Sequence, residues 1–73
     1  QGAELDLLMI KGGRRIGVEV KRADAPTLTP SMRIALADLD LAKLVVIYPG
    51  TQCYALTDRV TVLPVRDLMT GLR

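Results

Sequence analysis

The sequence has no histidine, one cysteine, no tryptophan or phenylalanine and only two tyrosines among its 73 residues. Without histidine, the serine–histidine and cysteine–histidine forms of nucleophilic catalysis are excluded. The single cysteine, Cys53, cannot form an internal disulfide, and the lack of other ligands argues against a structural zinc site. Tyr48 and Tyr54 are too few aromatic residues for a protein that binds single strands by base stacking.

Long apolar runs and a strong charge imbalance are also missing. No uncharged apolar run approaches the ~20 residues of a membrane span. Ten Lys and Arg against eight Asp and Glu give a net charge of only +2, a weak field for attracting acidic partners. The composition, 49% hydrophobic and 25% charged, is that of a globular domain. We therefore expect a single domain over residues 1–73, with a cytoplasmic location and no membrane partner.

Two adjacent glycines predict a tight turn between two β-type segments. Gly12 and Gly13 separate residues 4–10 from residues 15–21, and a type I′ turn needs positive φ at both central positions. A two-residue loop gives the two segments a fixed antiparallel register. One face then carries only the apolar residues Leu5, Leu7, Met9, Ile16, Val18 and Val20, and the other carries Glu4, Asp6, Leu8, Gly17, Glu19 and Lys21.

The charged face of this hairpin places Asp6 directly opposite Glu19, with Lys21 two residues further along the strand and facing Glu4. Cross-strand Cβ atoms lie ~4.5–5.5 Å apart, so two such carboxylates must bind a cation, share a proton or turn into water. Their hard oxygens suit Mg²⁺ or Mn²⁺ rather than zinc. Gly17 removes a side chain from the same face, and we expect open space there for a ligand.

A helix follows the hairpin. Thr29 has the residue type of an N-cap, and Pro30 stands at the first helical position, where its missing N–H costs nothing. The helix is predicted to end near Asp40. Its buried face is predicted to consist of Met32, Ala35, Leu36 and Leu39.

The second half of the chain contains a strongly β-branched segment. Residues 44–48 are apolar on both faces and stop at Pro49, which predicts a central buried strand reached by a crossover from the hairpin. Residues 53–56 and 60–63 predict short strands, with Tyr48 and Cys53 as packing residues. Pro64 predicts the start of a last short helix, with Val65, Leu68, Met69 and Leu72 on one side and Gly71 near its end. The fold class is α/β, a mixed sheet with a β-hairpin, a crossover helix and a central strand.

The order of these elements resembles a known nuclease fold. Asp6, followed by Glu19-Val20-Lys21 on the next strand and then by a helix and a buried strand, is similar to the PD-(D/E)xK, or restriction-endonuclease-like, superfamily. The resemblance implies that Mg²⁺ is held by Asp6, Glu19 and the carbonyl of Val20. It also implies that Lys21 orients the attacking water or steadies the pentavalent phosphate.

A more specific resemblance covers the chain from about Gly2 to Leu68. Four segments carry this resemblance: residues 2–8, 16–21, 28–32 and 44–50. Their amino-acid sequence resembles the C-terminal domain of unknown function that follows the ATPase domain in bacterial and archaeal AAA-type ATPases. The resemblance implies a partial restriction-endonuclease-like core that lacks the first helix and strand, and an ATPase domain of the parent chain as a partner. Because the chain opens at Gln1, we interpret it as a fragment of such a protein.

Two functions from different classes remain open. The favoured one is an accessory docking or oligomerisation module, in which Glu4, Asp6, Glu19 and Lys21 form a charged network without catalysis. The alternative is an Mg²⁺-dependent phosphodiesterase acting on nucleic acid, with Asp6, Glu19 and Lys21 as catalytic residues. No ATP site is expected, because the glycine pair lacks the Gly-Lys-Ser/Thr ending of a phosphate-binding loop. Loss of the first helix and strand bares apolar surface, so we expect a homo-oligomer and an inactive fragment.

Overall fold

The computed structural model describes residues 5–68, which form a five-stranded mixed sheet and one α-helix. The strands run in the spatial order β1-β2-β3-β5-β4. The pairs β1/β2 and β4/β5 are antiparallel, whereas β2/β3 and β3/β5 are parallel. The elements are β1 Leu7–Lys11, β2 Arg14–Val20, α1 Pro30–Asp38, β3 Lys43–Tyr48, β4 Tyr54–Ala55, β5 Val60–Pro64 and a 3-10 turn Val65–Asp67. The predicted mixed α/β class, with a hairpin, a helix and a central strand, is confirmed.

The hairpin has the predicted turn, and its register is as predicted from Lys11 to Leu7. Beyond Leu7 the prediction is wrong, because Asp6 lies opposite Val18 and not directly opposite Glu19. Gly12 and Gly13 have φ of 58° and 77°, and the paired residues run from Lys11 with Arg14 to Leu7 with Val18. At that point a second residue of the first strand joins the ladder, since the Asp6 amide also donates to the Val18 carbonyl at 3.1 Å. Two residues of one strand then face one residue of the other, which is the arrangement of a β-bulge.

This bulge changes the face on which the preceding residue lies. Leu5 packs with the cluster around Leu41, on the same side of the sheet as Gly17, whereas Met9 packs on the opposite side with Val18. The sequence-based prediction that Leu5 shares a face with Met9 is therefore wrong. The reason is that the regular two-residue alternation stops where the extra residue enters the strand.

Helix α1 begins as predicted and ends at Asp38, close to the predicted end near Asp40. The Thr29 hydroxyl accepts a hydrogen bond from the Met32 amide at 3.3 Å, and proline occupies the first turn. Met32 and Ala35 are fully buried. The helix ends at Asp38 because Asp40 takes a left-handed conformation with φ of 52°.

Two arginines bind the backbone just after this helix. Arg15 Nε donates to the Leu39 carbonyl at 2.6 Å, and the Arg59 guanidinium donates to the Leu41 carbonyl. Leu39 is the C-cap of α1, and its carbonyl carries partial negative charge, so a cationic donor such as Arg15 is favourable there. The arginines thus join β2 and the segment before β5 to the connection between α1 and β3.

The sheet buries apolar side chains on both of its faces. Strand β3 is central, and its residues 44–48 are all buried, as predicted. The cluster on the helix side contains Met32, Ala35, Leu41, Leu44, Val46, Tyr48, Val60 and Val62, and the cluster on the other side contains Ile16, Val18, Val45, Ile47 and Leu63. Within residues 5–68 no helix is long and apolar enough to cross a membrane.

The segment after β3 is held by two tyrosines. The Tyr48 hydroxyl donates to the carbonyl of Gln52 and accepts from its amide, both at 2.8 Å. The Tyr54 hydroxyl donates to the Pro26 carbonyl at 2.7 Å, and its ring meets that of Tyr48 edge-on with centroids 6.2 Å apart. Tyr48 is therefore a packing residue, as predicted.

Two predictions for the end of the chain differ from the structure or lie beyond it. Cys53 is exposed, so the prediction that it packs in the core is wrong, because the strand begins only at Tyr54. Pro64 ends β5 and is the N-cap of a 3-10 helix over Val65–Asp67, so a short helix does start there as predicted. The predicted positions of Met69, Gly71 and Leu72 lie outside the described residues.

Candidate functional site

The predicted site residues lie together at the end of the hairpin that is opposite the glycine turn. Asp6 immediately precedes β1, Glu19 and Val20 are the last two residues of β2, and Lys21 follows it. Strand β3, parallel to β2, ends beside them, with Val20 paired to Ile47. The carboxyl ends of parallel strands are a common place for ligand sites in α/β proteins.

The Asp6 carboxylate is bound to the backbone of the neighbouring strand. Its Oδ2 accepts a 2.7 Å hydrogen bond from the Val20 amide. In a regular ladder this amide would donate to a carbonyl of the first strand, but the bulge moves that carbonyl out of register. The side chain of Asp6 therefore replaces the missing ladder partner and fixes the end of β2.

Glu19 is the buried acidic residue of this end of the sheet, with 8% of its surface exposed. Its Oε2 lies 3.0 Å from Lys21 Nζ, and its strand neighbour is Val46 on the helix side of the sheet. The pair is therefore partly screened from water rather than on an open strand face. A buried carboxylate requires such a cationic partner, because desolvation of an unpaired charge is costly.

Gly17 does not leave the open space that the sequence led us to expect. A Cβ at this position would lie 2.7 Å from Leu41 Cδ1 and 2.9 Å from Leu5 Cδ2. The room above the glycine is filled by these two leucine side chains. Gly17 thus serves packing between β2 and the helix side of the core.

The carboxylate and carbonyl oxygens at this end of the hairpin are the kind of ligand atom that hard divalent cations prefer. Asp6 uses Oδ2 and Glu19 uses Oε2 in their contacts, so Oδ1, Oε1 and the Val20 carbonyl are the oxygens that would hold Mg²⁺ or Mn²⁺. Among residues 5–68 there is no group of three or more His, Cys, Asp or Glu side chains placed to hold a metal. Glu4 lies outside the described residues.

An apolar cleft beside these residues was not predicted from the sequence. It has a volume of about 280 Å³ and is lined by residues that include Val20, Lys21, Arg22, Pro49 and Val65. Val20 and Val65 are large aliphatic residues left 56% and 67% exposed. The signal available in the sequence was an aliphatic residue directly before two cationic ones at a strand end.

The sequence of this chain matches a known protein family. Residues 1–68 match the family described as Domain of unknown function (DUF4143). The chain belongs to the DUF4143 family. Membership confirms the part of the sequence-based resemblance that concerned a domain of unknown function.

Two curated mycobacterial proteins are similar to this DUF4143 chain. The uncharacterized protein Mb2031c of Mycobacterium bovis and the uncharacterized protein Rv2008c of Mycobacterium tuberculosis are each 44% identical to it over 70 residues. The alignment covers 96% of this chain and 16% of each relative. The DUF4143 chain therefore spans about one-sixth of the length of the curated relatives that it matches. No solved structure matches it.

Proposed function

We propose that this DUF4143 domain is an accessory association module of a longer ATPase protein, and that it joins copies of that protein through edge strand β1. The observation that carries the proposal is the exposed apolar surface of this strand. Leu7, Leu8 and Ile10 are 50%, 39% and 63% exposed, and among the strands of residues 5–68 β1 is the first in the sheet order and pairs on one side only.

The features that protect the edge of β1 lie only at its two ends, where the bulge beside Asp6 and the charge of Lys11 flank an apolar segment. Within Leu7–Lys11 there is no proline and no charge before Lys11 at the end of the strand. An apolar edge of this kind pairs readily with another strand, which completes its hydrogen bonds and covers its side chains. A second copy of the chain supplies an identical edge, and pairing of two such edges closes as a dimer.

The backbone geometry selects one register for this pairing. In a hairpin closed by a two-residue turn, Leu7, Met9 and Lys11 bond to β2, so the outward amides and carbonyls belong to Leu8 and Ile10. Antiparallel pairing about a two-fold axis through Met9 sets Leu8 against Ile10 of the second copy. A register centred on Leu8 would also require the Asp6 amide, which already donates to Val18.

The ATPase part of the proposal is supported by two observations. The sequence resembles the C-terminal domain that follows an ATPase domain, and the curated relatives extend far beyond the segment that this chain matches. An association domain joined to an ATPase holds several ATPase domains near one another, which raises their effective concentration.

Sedimentation of the 73-residue chain over a range of concentrations tests the association. We expect a dimer that dissociates on dilution. Ile10→Pro removes an outward amide of the edge strand and should give a monomer, and Ile10→Thr, which keeps the β-preference, should weaken the dimer about tenfold. The matched control is Val65→Thr, at an equally exposed residue away from β1. A monomeric wild-type chain, or a dimer unaffected by both Ile10 variants, would overturn the proposal.

A second candidate function is metal-dependent phosphodiester hydrolysis, favoured by the placement of Asp6, Glu19 and Lys21 at one end of the hairpin. A cation bound there would supply Lewis-acid polarisation of a phosphate and a more acidic bound water. Lys21 Nζ, held 3.0 Å from Glu19, would place positive charge where negative charge grows in the transition state.

Thermal unfolding with and without metal separates this candidate from the association module. Millimolar Mg²⁺ or Mn²⁺ should raise the melting temperature if the site binds metal, and Asp6→Asn or Glu19→Gln should remove the rise. Asp24→Asn is a matched control at an exposed aspartate. No metal-dependent stabilisation, together with no cleavage of plasmid or single-stranded DNA, would leave only the association function.

A further inference from the structure

The two ends of edge strand β1 carry opposite charges. Asp6 immediately precedes the strand and is exposed, and its Oδ2 accepts the hydrogen bond from the Val20 amide. Lys11 is the last residue of the strand and is also exposed. Residues 7–10 between them are uncharged. The edge is therefore acidic at one end, apolar in the middle and basic at the other end.

Lys11 faces a like charge within its own hairpin. It is paired across the glycine turn with Arg14, which is also exposed. Like charges directly opposite each other destabilise an antiparallel pair of strands. A carboxylate that another chain brings beside Lys11 would offset this repulsion.

The register proposed for association through β1 brings the two opposite charges together. With Met9 on the two-fold axis, Leu7 of one copy faces Lys11 of the second copy, and Asp6 is the next residue along the chain. A cross-strand separation of ~4.5 Å and a rise of ~3.4 Å put the Cα atoms of Asp6 and Lys11 about 6 Å apart, a gap that a lysine side chain spans. The two-fold axis repeats the contact, whereas parallel pairing in register would set Lys11 beside Lys11.

We propose that Lys11 of each copy forms an ion pair with Asp6 of the other copy, and that these two contacts select antiparallel self-association and make it sensitive to ionic strength. This pairing rests on the association through β1 proposed above and determines its orientation and its salt dependence. Asp6 Oδ1, the oxygen that does not bind the Val20 amide, receives the Lys11 ammonium group. Because both residues are exposed, dissolved salt screens the pair, whereas the apolar contacts of residues 7–10 do not depend on charge.

Sedimentation of Lys11 variants measures the contribution of the pair. Lys11→Gln should weaken the dimer about two- to tenfold, as expected for two exposed ion pairs, and Lys11→Glu should weaken it further. An increase in sodium chloride from about 20 mM to about 500 mM should weaken the wild-type dimer by a similar factor and leave the Lys11→Gln dimer unchanged. Arg33→Glu, an equal change of charge at an exposed residue of α1, is the matched control and should not weaken the dimer.

Unfolding in urea separates the ion pair from a general loss of structure. Lys11→Glu replaces a repulsion with Arg14 by an attraction, so the monomer should become more stable while the dimer becomes weaker. A variant that weakens the dimer by failing to fold would lose stability in both measurements.

Mixing two weakened chains tests the pairing itself. Lys11→Glu and Asp6→Lys should each dimerise poorly alone, because like charges meet twice in each homodimer. In the mixed dimer Asp6 of the first chain meets Lys11 of the second, and the two introduced charges are also opposite, so the mixture should associate nearly as tightly as the wild type.

The two proposals fail in different ways. If Ile10→Pro is monomeric but Lys11→Glu dimerises like the wild type, or if the mixture forms no heterodimer, the ion pair is overturned and association through β1 stands. A wild-type chain that is monomeric at low salt would overturn both.

Discussion

Asp6 and Val20 are joined by a 2.7 Å hydrogen bond in which the carboxylate of the first accepts the backbone amide of the second. The bond lies where the regular ladder of the hairpin stops, next to the bulge at Val18. It ties the start of the hairpin to the end of β2, which carries Glu19 and is followed by Lys21. The candidate metal ligands and the cleft both lie beside this contact.

Removal of the Asp6 carboxylate should destabilise the chain. Asp6→Ala leaves the Val20 amide without its protein acceptor, and we expect a loss of about 0.5–1.5 kcal/mol in the free energy of unfolding. Asp6→Asn keeps an oxygen acceptor and should lose less. Urea unfolding followed by circular dichroism measures both, and equal losses for the two variants would show that the acceptor oxygen is not what matters.

Replacement of Asp40 by glycine should stabilise the folded chain. Its φ of 52° places it in the left-handed region, and its amide bonds to Ala37 while the next amide, of Leu41, bonds to Leu36. These are the two bonds of a Schellman helix end, where glycine is the preferred residue. Asp40→Gly should raise the free energy of unfolding by about 0.5–1 kcal/mol. Asp38→Gly, inside the helix, should lower it by a similar amount, and a destabilised Asp40→Gly chain would contradict the assignment.

The Tyr54 phenol should make the free energy of unfolding depend on pH in the alkaline range. Burial, and secondarily the neighbouring Tyr48, raise the pKa of Tyr54 above its ordinary value of 10.0. The folded chain then keeps a proton that the unfolded chain loses, so this contribution is complete below pH 10 and decreases as the pH rises above it. The difference in unfolding free energy between wild type and Tyr54→Phe, measured from pH 8 to 11, should shrink with pH. A constant difference would contradict the raised pKa.

Local rules of the chain were enough to predict the hairpin, the helix start and the central strand. The glycine pair fixes the register, Thr29 and Pro30 fix the helix start, and the continuous apolar segment 44–48 requires burial on both faces. Each of these features depends on a few neighbouring residues, so the sequence reports it directly.

Features that depend on contacts between distant segments were not predictable in the same way. The bulge at Asp6 arises where the hairpin ladder ends, and it reverses the face of Leu5. The space above Gly17 is taken by Leu41 from the end of the helix connection. The cleft needs Val20 and Val65, which are far apart in sequence and meet only at the sheet end.

A disulfide across the proposed two-fold axis is the most direct measurement of the association through β1. In the predicted register Met9 faces Met9 of the second copy as a non-hydrogen-bonded pair, with Cα atoms ~4.5 Å apart, a separation that a disulfide can bridge. With the exposed Cys53 changed to serine, Met9→Cys should give a covalent dimer on mild oxidation, and Thr51→Cys, exposed and away from β1, should not. If Met9→Cys stays monomeric under oxidation, or cross-links no better than Thr51→Cys, the association through β1 is contradicted.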